Sequence, residues 1–342
     1  MRVIRASGIV LVGLMAIVAV GCDMLGLDPS DTDGPLYADN VVVVNGDINE
    51  STSWDMTKVY YIPESVRVTT GTLSIPAGTI VKFGPYGELR IDVGAALVAI
   101  GEADAKICFT SIRDIRGGDS ILDDATVAPA AQDWGKVVIA DGADADIQYC
   151  EFSYGGGYEG PVPFAALQVE SDVEVDISIR NNTFHSNLWP LSVHMGLTMD
   201  DSNIFEFDLD GTALKNVHQG IYLLFCNLEM TDSVSWNITK VPYHVTEDIL
   251  YINQSLNVAD GVIVKFYQTS QSGIWIEDSA SLIYGDQAIF TEYRDDAHGG
   301  DTNADGSLTV PENGSWYGIW NDASTGGYFL VDADNIFYAA NE

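Results

Sequence analysis

The segment DTNADGSLTVPE, residues 301–312, carries the sharpest chemical pattern in the chain. Asp301, Asn303 and Asp305 stand at positions 1, 3 and 5 of a twelve-residue frame, Gly306 at 6, Leu308 at 8 and Glu312 at 12. A hard divalent cation needs six or more oxygens on a short radius, and a tight turn with oxygen side chains at alternate positions delivers them from consecutive residues. Ser307 adds a main-chain carbonyl, and Thr309 a hydroxyl or a bridging water. These six residues, Asp301, Asn303, Asp305, Ser307, Thr309 and Glu312, are the expected calcium ligands. A surface turn rich in Asp, Asn and Gly has the same composition without a metal; the match at every key position favours calcium. No helical pattern flanks the segment, and Pro311 would interrupt a helix leaving it, so the loop is expected to be inserted between strands.

The chain supplies its own comparison. FTSIRDIRGGD at 109–119 returns as FTEYRDDAHGGD at 290–301, LSIPAGTIVKF at 73–83 as LNVADGVIVKF at 256–266, and SWDMTKVYY at 53–61 as SWNITKVPY at 235–243, at offsets of 181 to 183 residues. Such duplication indicates a fold built of repeating layers. Downstream, Asp119 to Trp134 and Asp301 to Trp316 span the same length, but Ile121 replaces the Asn, Ala130 replaces the Glu and the turn glycine is lost. Calcium is therefore expected in the second copy and not in the first, and the retained loop length points to a packing role for the insertion. Arg113-Asp114 and Arg294-Asp295 recur just ahead of the two loops, as expected of an ion pair that pins the loop base.

Other chemistry is poorly supported. Asp200/Asp201 and Asp295/Asp296 are carboxylate pairs, but among 50 acidic residues adjacent pairs arise easily. His185, His194, His218, His244 and His298 lack metal-ligand spacing, and no nucleophile elbow, phosphate loop or Cys-x-x-Cys occurs. Trp134 and Trp316 hold equivalent places after the loops; with Tyr158, Trp189, Trp275, Tyr317 and Trp320 they suit either inward stacks or a face that contacts sugars. No catalytic residue is assigned.

The elements that position these residues are short strands. Val66/Val68, Leu73/Ile75, Val81/Phe83, Leu89/Ile91, Leu97/Ala99 and Ile107/Phe109 start 7, 8, 8, 8 and 10 residues apart, each pair alternating with polar or small residues. That period belongs to strands with one buried face, and three of them, about 24 residues, suit one coil of a solenoid. IRNNTFHSN at 179–187 sets two Asn and a Phe at a bend, where an inward Asn satisfies main-chain groups of neighbouring coils; DDSNIFEF at 200–207 repeats the idea less clearly.

Together these segments resemble the right-handed parallel β-helix proteins of the pectin-lyase-like superfamily. LSIPAGTIVKF, GAALVAIGEADAKICFTS and Trp134-Gly135 look like a subgroup of secreted bacterial β-helix proteins, and the resemblance covers most of residues 51–342. It implies an all-β fold, a right-handed parallel β-helix solenoid with inserted loops. It leaves function open, because the superfamily holds lyases, hydrolases, adhesins and scaffolds. By analogy with its pectate lyases, Arg113 or Arg294 would remove a proton beside a calcium-neutralised carboxylate. The Gly-His-Gly and Arg-x-Lys motifs of its polygalacturonases are missing.

At the N-terminus, Arg2 and Arg5 precede an apolar run from Ile9 to Val20 that ends at Gly21-Cys22, the pattern of a secretory signal. AVGC resembles a bacterial lipobox, which implies cleavage after residue 21 and lipidation of Cys22. The expected organisation is a signal over 1–21, a lipidated tether over 22–50 and a β-helix over 51–342, with duplicated units 53–155 and 235–342 flanking coils 156–234. Loss of Arg2 and Arg5 takes the formal charge from −35 to −37, which disfavours nucleic acid and anionic surfaces. Cys108, Cys150 and Cys226 then remain, an odd number expected as buried free thiols. The expectation is a lipid-anchored protein of the bacterial cell envelope, exported, with its membrane contact through the anchor. It would be a non-catalytic structural or binding module with one calcium-stabilised loop, in contact with polysaccharide or another envelope component; the alternative is a calcium-assisted polysaccharide lyase or glycoside hydrolase.

Overall fold

The computed structural model describes residues 40–115, 127–157, 165–171, 177–226, 230, 232–246, 249–268, 271–323, 327–330 and 334–340. The leader, Cys22, most of the tether, Tyr158, Asp119, Ile121, Asp123 and Asp124 lie outside them. The alternation of apolar and polar residues resolves into strands without any helix among the described residues, and nearly all pair in parallel with the strand one coil away. Val59 lies beside Ile80, Ser65 beside Glu88 and Gly71 beside Ala95, steps of 21, 23 and 24 residues. The chain is a parallel β-helix solenoid with inserted loops.

Three walls form the first half. Among the described residues, a six-stranded wall contains Ile80–Phe83 and Ile107–Ser111, a nine-stranded wall contains Glu88–Ile91, and a five-stranded wall contains Ala95–Ile100. The six-stranded wall starts at Val41–Val43, ahead of the expected boundary at 51, because this β-branched run pairs with Val59–Tyr61. The nine-stranded wall continues through Tyr243–Val245, Ile263–Phe266 and Ile289–Glu292, while the other two faces are taken over by Ser255–Val258 and Ser281–Tyr284 and by Ile249–Ile252, Gly273–Ile276 and Gly318–Ala323. An antiparallel hairpin, Glu206–Leu209 with Thr212–Lys215, interrupts the winding between the halves.

The core follows the sequence pattern. All twelve residues of the six apolar pairs are at most 2% exposed. Their burial, worth about 1.5–3 kcal/mol for each large side chain, is the main force closing the coils. One inward position stacks from coil to coil: Phe109 on Phe152 at 4.7 Å, Phe152 on Phe184 at 5.1 Å and Phe184 on Phe205 at 5.6 Å between centroids.

The corners are held by asparagine ladders. Asn182 accepts from the Cys150 N–H at 2.9 Å and donates to Ile147 O at 2.9 Å and Asn203 Oδ1 at 3.1 Å, while Asn203 donates to Ile179 O at 2.9 Å. A second ladder, absent from the expectations, links Asn187 and Asn216 at 2.9 Å; Asn187 accepts from Gly155 N–H at 2.8 Å and donates to Phe152 O at 2.9 Å. Among the described residues the three cysteines are free thiols, Cys150 and Cys226 buried and Cys108 half-buried.

Candidate metal centre

Each insertion leaves its wall immediately after the FTS or FTE strand, and the same three groups fasten both loop bases. Lys82, fully buried, donates from Nζ to Asp114 O at 2.6 Å, and Lys265, also fully buried, donates to Asp295 O at 2.9 Å and Gly300 O at 2.6 Å. Thr110 Oγ1 donates to Asp114 Oδ2, and Thr291 Oγ1 to Asp295 Oδ2, both at 2.6 Å. Burial pushes the Asp295 carboxyl up, but the hydrogen bonds from Thr291 and His298 outweigh it and hold the group below its ordinary value. Behind each loop a buried Trp stacks on the IVKF phenylalanine: Trp134 on Phe83 at 4.3 Å and Trp316 on Phe266 at 4.1 Å. These two rings are core residues and present no face to solvent.

The arginines bond differently from the expected Arg-Asp pairs. Arg113 Nη1 meets Asp133 Oδ1 at 2.7 Å, and Arg294 Nε meets Glu292 Oε1 at 2.7 Å. The neighbouring Asp114 and Asp295 are occupied by threonine hydroxyls, so each arginine takes its carboxylate from elsewhere at the loop base.

In the second loop Asp301 shapes the turn by accepting from the N–H groups of Asp305 at 3.1 Å and Gly306 at 2.8 Å, with Gly306 at φ +64°. Asp305 in turn accepts from the Thr309 hydroxyl and from the N–H groups of Leu308 at 2.9 Å and Thr309 at 3.0 Å; the Thr309 hydroxyl above all holds its carboxyl below the ordinary value. Asn303 Nδ2 donates to Asp305 Oδ2 at 2.9 Å and Thr309 Oγ1 at 3.0 Å. Oxygens of Asp296, Asp301 and Asp305 lie within 4.8 Å of one another. Among the described residues, Asp296 Oδ1 and Asn303 Oδ1 are buried without a hydrogen-bond partner. Three carboxylates and the Asn303 amide oxygen, with one Asp296 oxygen and that amide oxygen unpartnered, form a donor set that fits a hard cation and is costly without one.

The sequence assigns all six expected ligands to one loop, and the structure gathers five of them: Asp301, Asn303 and Asp305 in a bonded group, Thr309 on Asp305, and Ser307 Oγ donating to Asp296 Oδ2 at 3.0 Å. Glu312 stands apart. Its side chain is 73% exposed and its Oε1 lies 3.9 Å from Arg294 Nη1. The third carboxylate is Asp296, from the strand side of the loop. Neither protein-family models, nor curated proteins, nor solved structures match the chain. A signal for Asp296 was present in the duplication, since it replaces Ile115 of the first copy as Asn303 replaces Ile121.

Of the remaining candidates, Trp189 is buried against His218 at 4.6 Å. Tyr251, Trp275 and Trp320 stand in register on three neighbouring coils. Leu250, Ile252, Ile274, Ile276 and Ile319 beside them point inward, which sets the three rings on the other side of the strands; Tyr251 is exposed there, whereas Trp320 is covered, only 7% exposed, with Nε1 donating to Tyr317 O at 2.8 Å.

Proposed function

We propose that this chain is an exported, envelope-attached β-helix module without catalytic activity, whose second inserted loop is fastened by one calcium ion. The carrying observation is the meeting of Asp296, Asp301 and Asp305 with the unpartnered oxygens of Asp296 and Asn303. Asp296, Asp301, Asn303 and Asp305 would hold the ion, with Ser307 and Thr309 adding oxygens through carbonyl, hydroxyl or water. Bound calcium supplies charge neutralisation and a rigid loop. The lipobox at Cys22 and the superfamily resemblance support the exported, anchored reading. The outward pair Tyr251 and Trp275 supports polysaccharide as the contacted component, since adjacent accessible rings offer an apolar strip to a polymer.

A lyase mechanism would need cations gathered beside the metal. Lys82 lies on the six-stranded wall and Lys265 on the nine-stranded wall, and each, like Arg113 and Arg294, is bonded to its own loop base. That division favours the binding module over the enzyme.

Calorimetry on the signal-free protein tests the metal reading. Wild type should bind one calcium, Asp296→Asn and Asp301→Asn should weaken it at least tenfold, and Glu312→Gln should change it less than threefold. A tenfold loss in Glu312→Gln with none in Asp296→Asn would restore the twelfth-position ligand instead. Incubation with acidic and neutral polysaccharides, with calcium and with chelator, should give retention without new reducing ends or unsaturated products; calcium-dependent cleavage would make the chain an enzyme.

A further inference from the structure

The calcium loop is also a roof. His244 projects outward from the nine-stranded wall in the row Tyr222, His244, Lys265, Thr291, yet it is only 4% exposed and, among the described residues, neither ring nitrogen has a hydrogen-bond partner. Its ring lies 4.2 Å from Tyr293, 5.5 Å from Trp189 and 5.8 Å from Tyr222. Loop residues Asp295 to Thr302 are tied down around it: His218 Nδ1 to Thr302 O at 2.9 Å, Tyr293 Oη to Thr302 O at 3.4 Å, and Lys265 Nζ to the carbonyls of Asp295 and Gly300. Thr302 itself is fully buried, and its neighbours Asp301 and Asn303 are proposed ligands. One short segment therefore both holds the ion and seals the imidazole.

We propose that calcium binding to this loop and protonation of His244 exclude one another, so that acid lifts the roof and releases the ion. The inference rests on the calcium reading above. A proton on His244 would enter a site where, among the described residues, neither ring nitrogen has a partner, facing Lys265 on the next strand, His218 ahead of the preceding strand and the rings of Tyr222, Tyr267 and Tyr293; only an open loop gives the imidazolium water. Burial first, and the His218 and Lys265 charges after it, hold the ring's pKa down to about 3 under the roof, against about 6.5 for a solvated histidine. Burial also lowers the pKa of His218, in spite of its Nδ1–H bond to Thr302 O, so His218 adds a pH dependence of the same sign, and the His244 variants separate the two. The first copy lacks the device: Tyr61 holds the equivalent place beside Lys82.

Linkage fixes the size of the effect. If binding needs the closed loop, each pH unit below about 6.5 weakens calcium by up to tenfold, roughly 25-fold between pH 7 and pH 5. Free carboxylates would contribute less than about twofold over that range. The experiment is calcium calorimetry at pH 7, 6 and 5 on wild type, His244→Phe and His244→Tyr. Wild type should lose roughly 25-fold or more, and both variants at least fivefold less than wild type. Equal pH dependence in all three would overturn the proposal while leaving the calcium site standing; no binding at any pH would overturn the site reading and the proposal with it. Imidazole NMR on the wild-type protein is independent of variant folding. With saturating calcium the His244 resonances should stay neutral down to pH 4.5, and with chelator they should titrate at least one unit higher; an unchanged titration refutes the linkage.

Discussion

Replacing Asn182 by Leu keeps the volume of a corner side chain and removes its hydrogen bonds. The Cys150 N–H and the Ile147 carbonyl lose their bonds to this side chain, and Asn203 Oδ1 keeps only the bond from the main-chain N–H of residue 182, 3.0 Å in wild type. Asn182 is fully buried, so water cannot substitute. Two orphaned main-chain groups cost about 1–3 kcal/mol each, and the buried leucine offsets roughly 1–2 kcal/mol, for a net loss of about 3 kcal/mol. Asn181→Gly is the control: residue 181 is half-buried at φ +59° and glycine accepts that backbone, so the change should stay within about 0.5 kcal/mol. Urea unfolding followed by tryptophan fluorescence reads the global difference. Because solenoids open locally, hydrogen exchange at the Cys150 amide reads the corner itself. The reasoning fails if Asn182→Leu falls within about 0.5 kcal/mol of Asn181→Gly and the Cys150 amide remains protected.

Lys265 is the second place where a sign can be worked out. Burial, stronger than the attraction of Asp295, Asp296, Asp301 and Glu292, lowers its pKa to about 8. Between there and the unfolded value near 10.5 the unfolded chain binds more protons, so stability should rise with pH across that window, by roughly 3 kcal/mol in all. Lys265→Met should abolish the rise in urea midpoints measured from pH 7.5 to 10; a variant with the wild-type slope would show that Lys265 is not its source. Trp316→Ala removes a buried ring stacked on Phe266 and the Nε1 donor to Phe337 O at 2.8 Å, and should cost about 3–5 kcal/mol. Trp134→Ala should match it within about 1 kcal/mol in thermal unfolding, since the copies use their tryptophans alike; a negligible loss in either would deny the ring its core role.

What could be read from the sequence is what has a period. Alternation such as Val81/Phe83 fixes an inward face, and a side chain capable of two bonds at a bend, Asn182 or Asn203, identifies a corner. The acidic turn was visible because Asp301, Asn303 and Asp305 lie at alternate positions of one short segment. Asp296 showed only as a change from Ile115 between the copies, since it joins Asp301 and Asp305 only when the loop folds back. The roof over His244 was hidden for a stronger reason: it depends on which wall the second copy occupies. The match of Tyr61 with Tyr243 also shifted. Trp54 stacks on Tyr60 at 4.0 Å, whereas Trp236 stacks on Tyr243 at 4.9 Å, because Pro242 adds one residue to the second copy.

The two copies keep their internal bonds while changing their place in the coil. IVKF lies on the six-stranded wall at Ile80–Phe83 and on the nine-stranded wall at Ile263–Phe266, so the intervening chain does not wind a whole number of turns. A wall imposes only parallel pairing and one inward face, and any wall can satisfy both. The Lys-Thr-Asp fastening and the Phe-Trp stack therefore travel with the unit. Even the arginine anchor survives by exchange: Ser111 and Asp133 in the first copy become Glu292 and Ser315 in the second, so one carboxylate remains for Arg113 or Arg294 although it has moved to the other side of the loop base. What the wall does decide is the surface beneath each loop. The first loop leaves a wall that carries Tyr61 beside its lysine, and the second leaves one that carries His244. An acidic loop over a neutral, sealed imidazole thus arises from a third of a turn in the placement of a repeated unit, and the chemistry of the second copy differs from the first for that reason as much as for Asp296, Asp301 and Asp305.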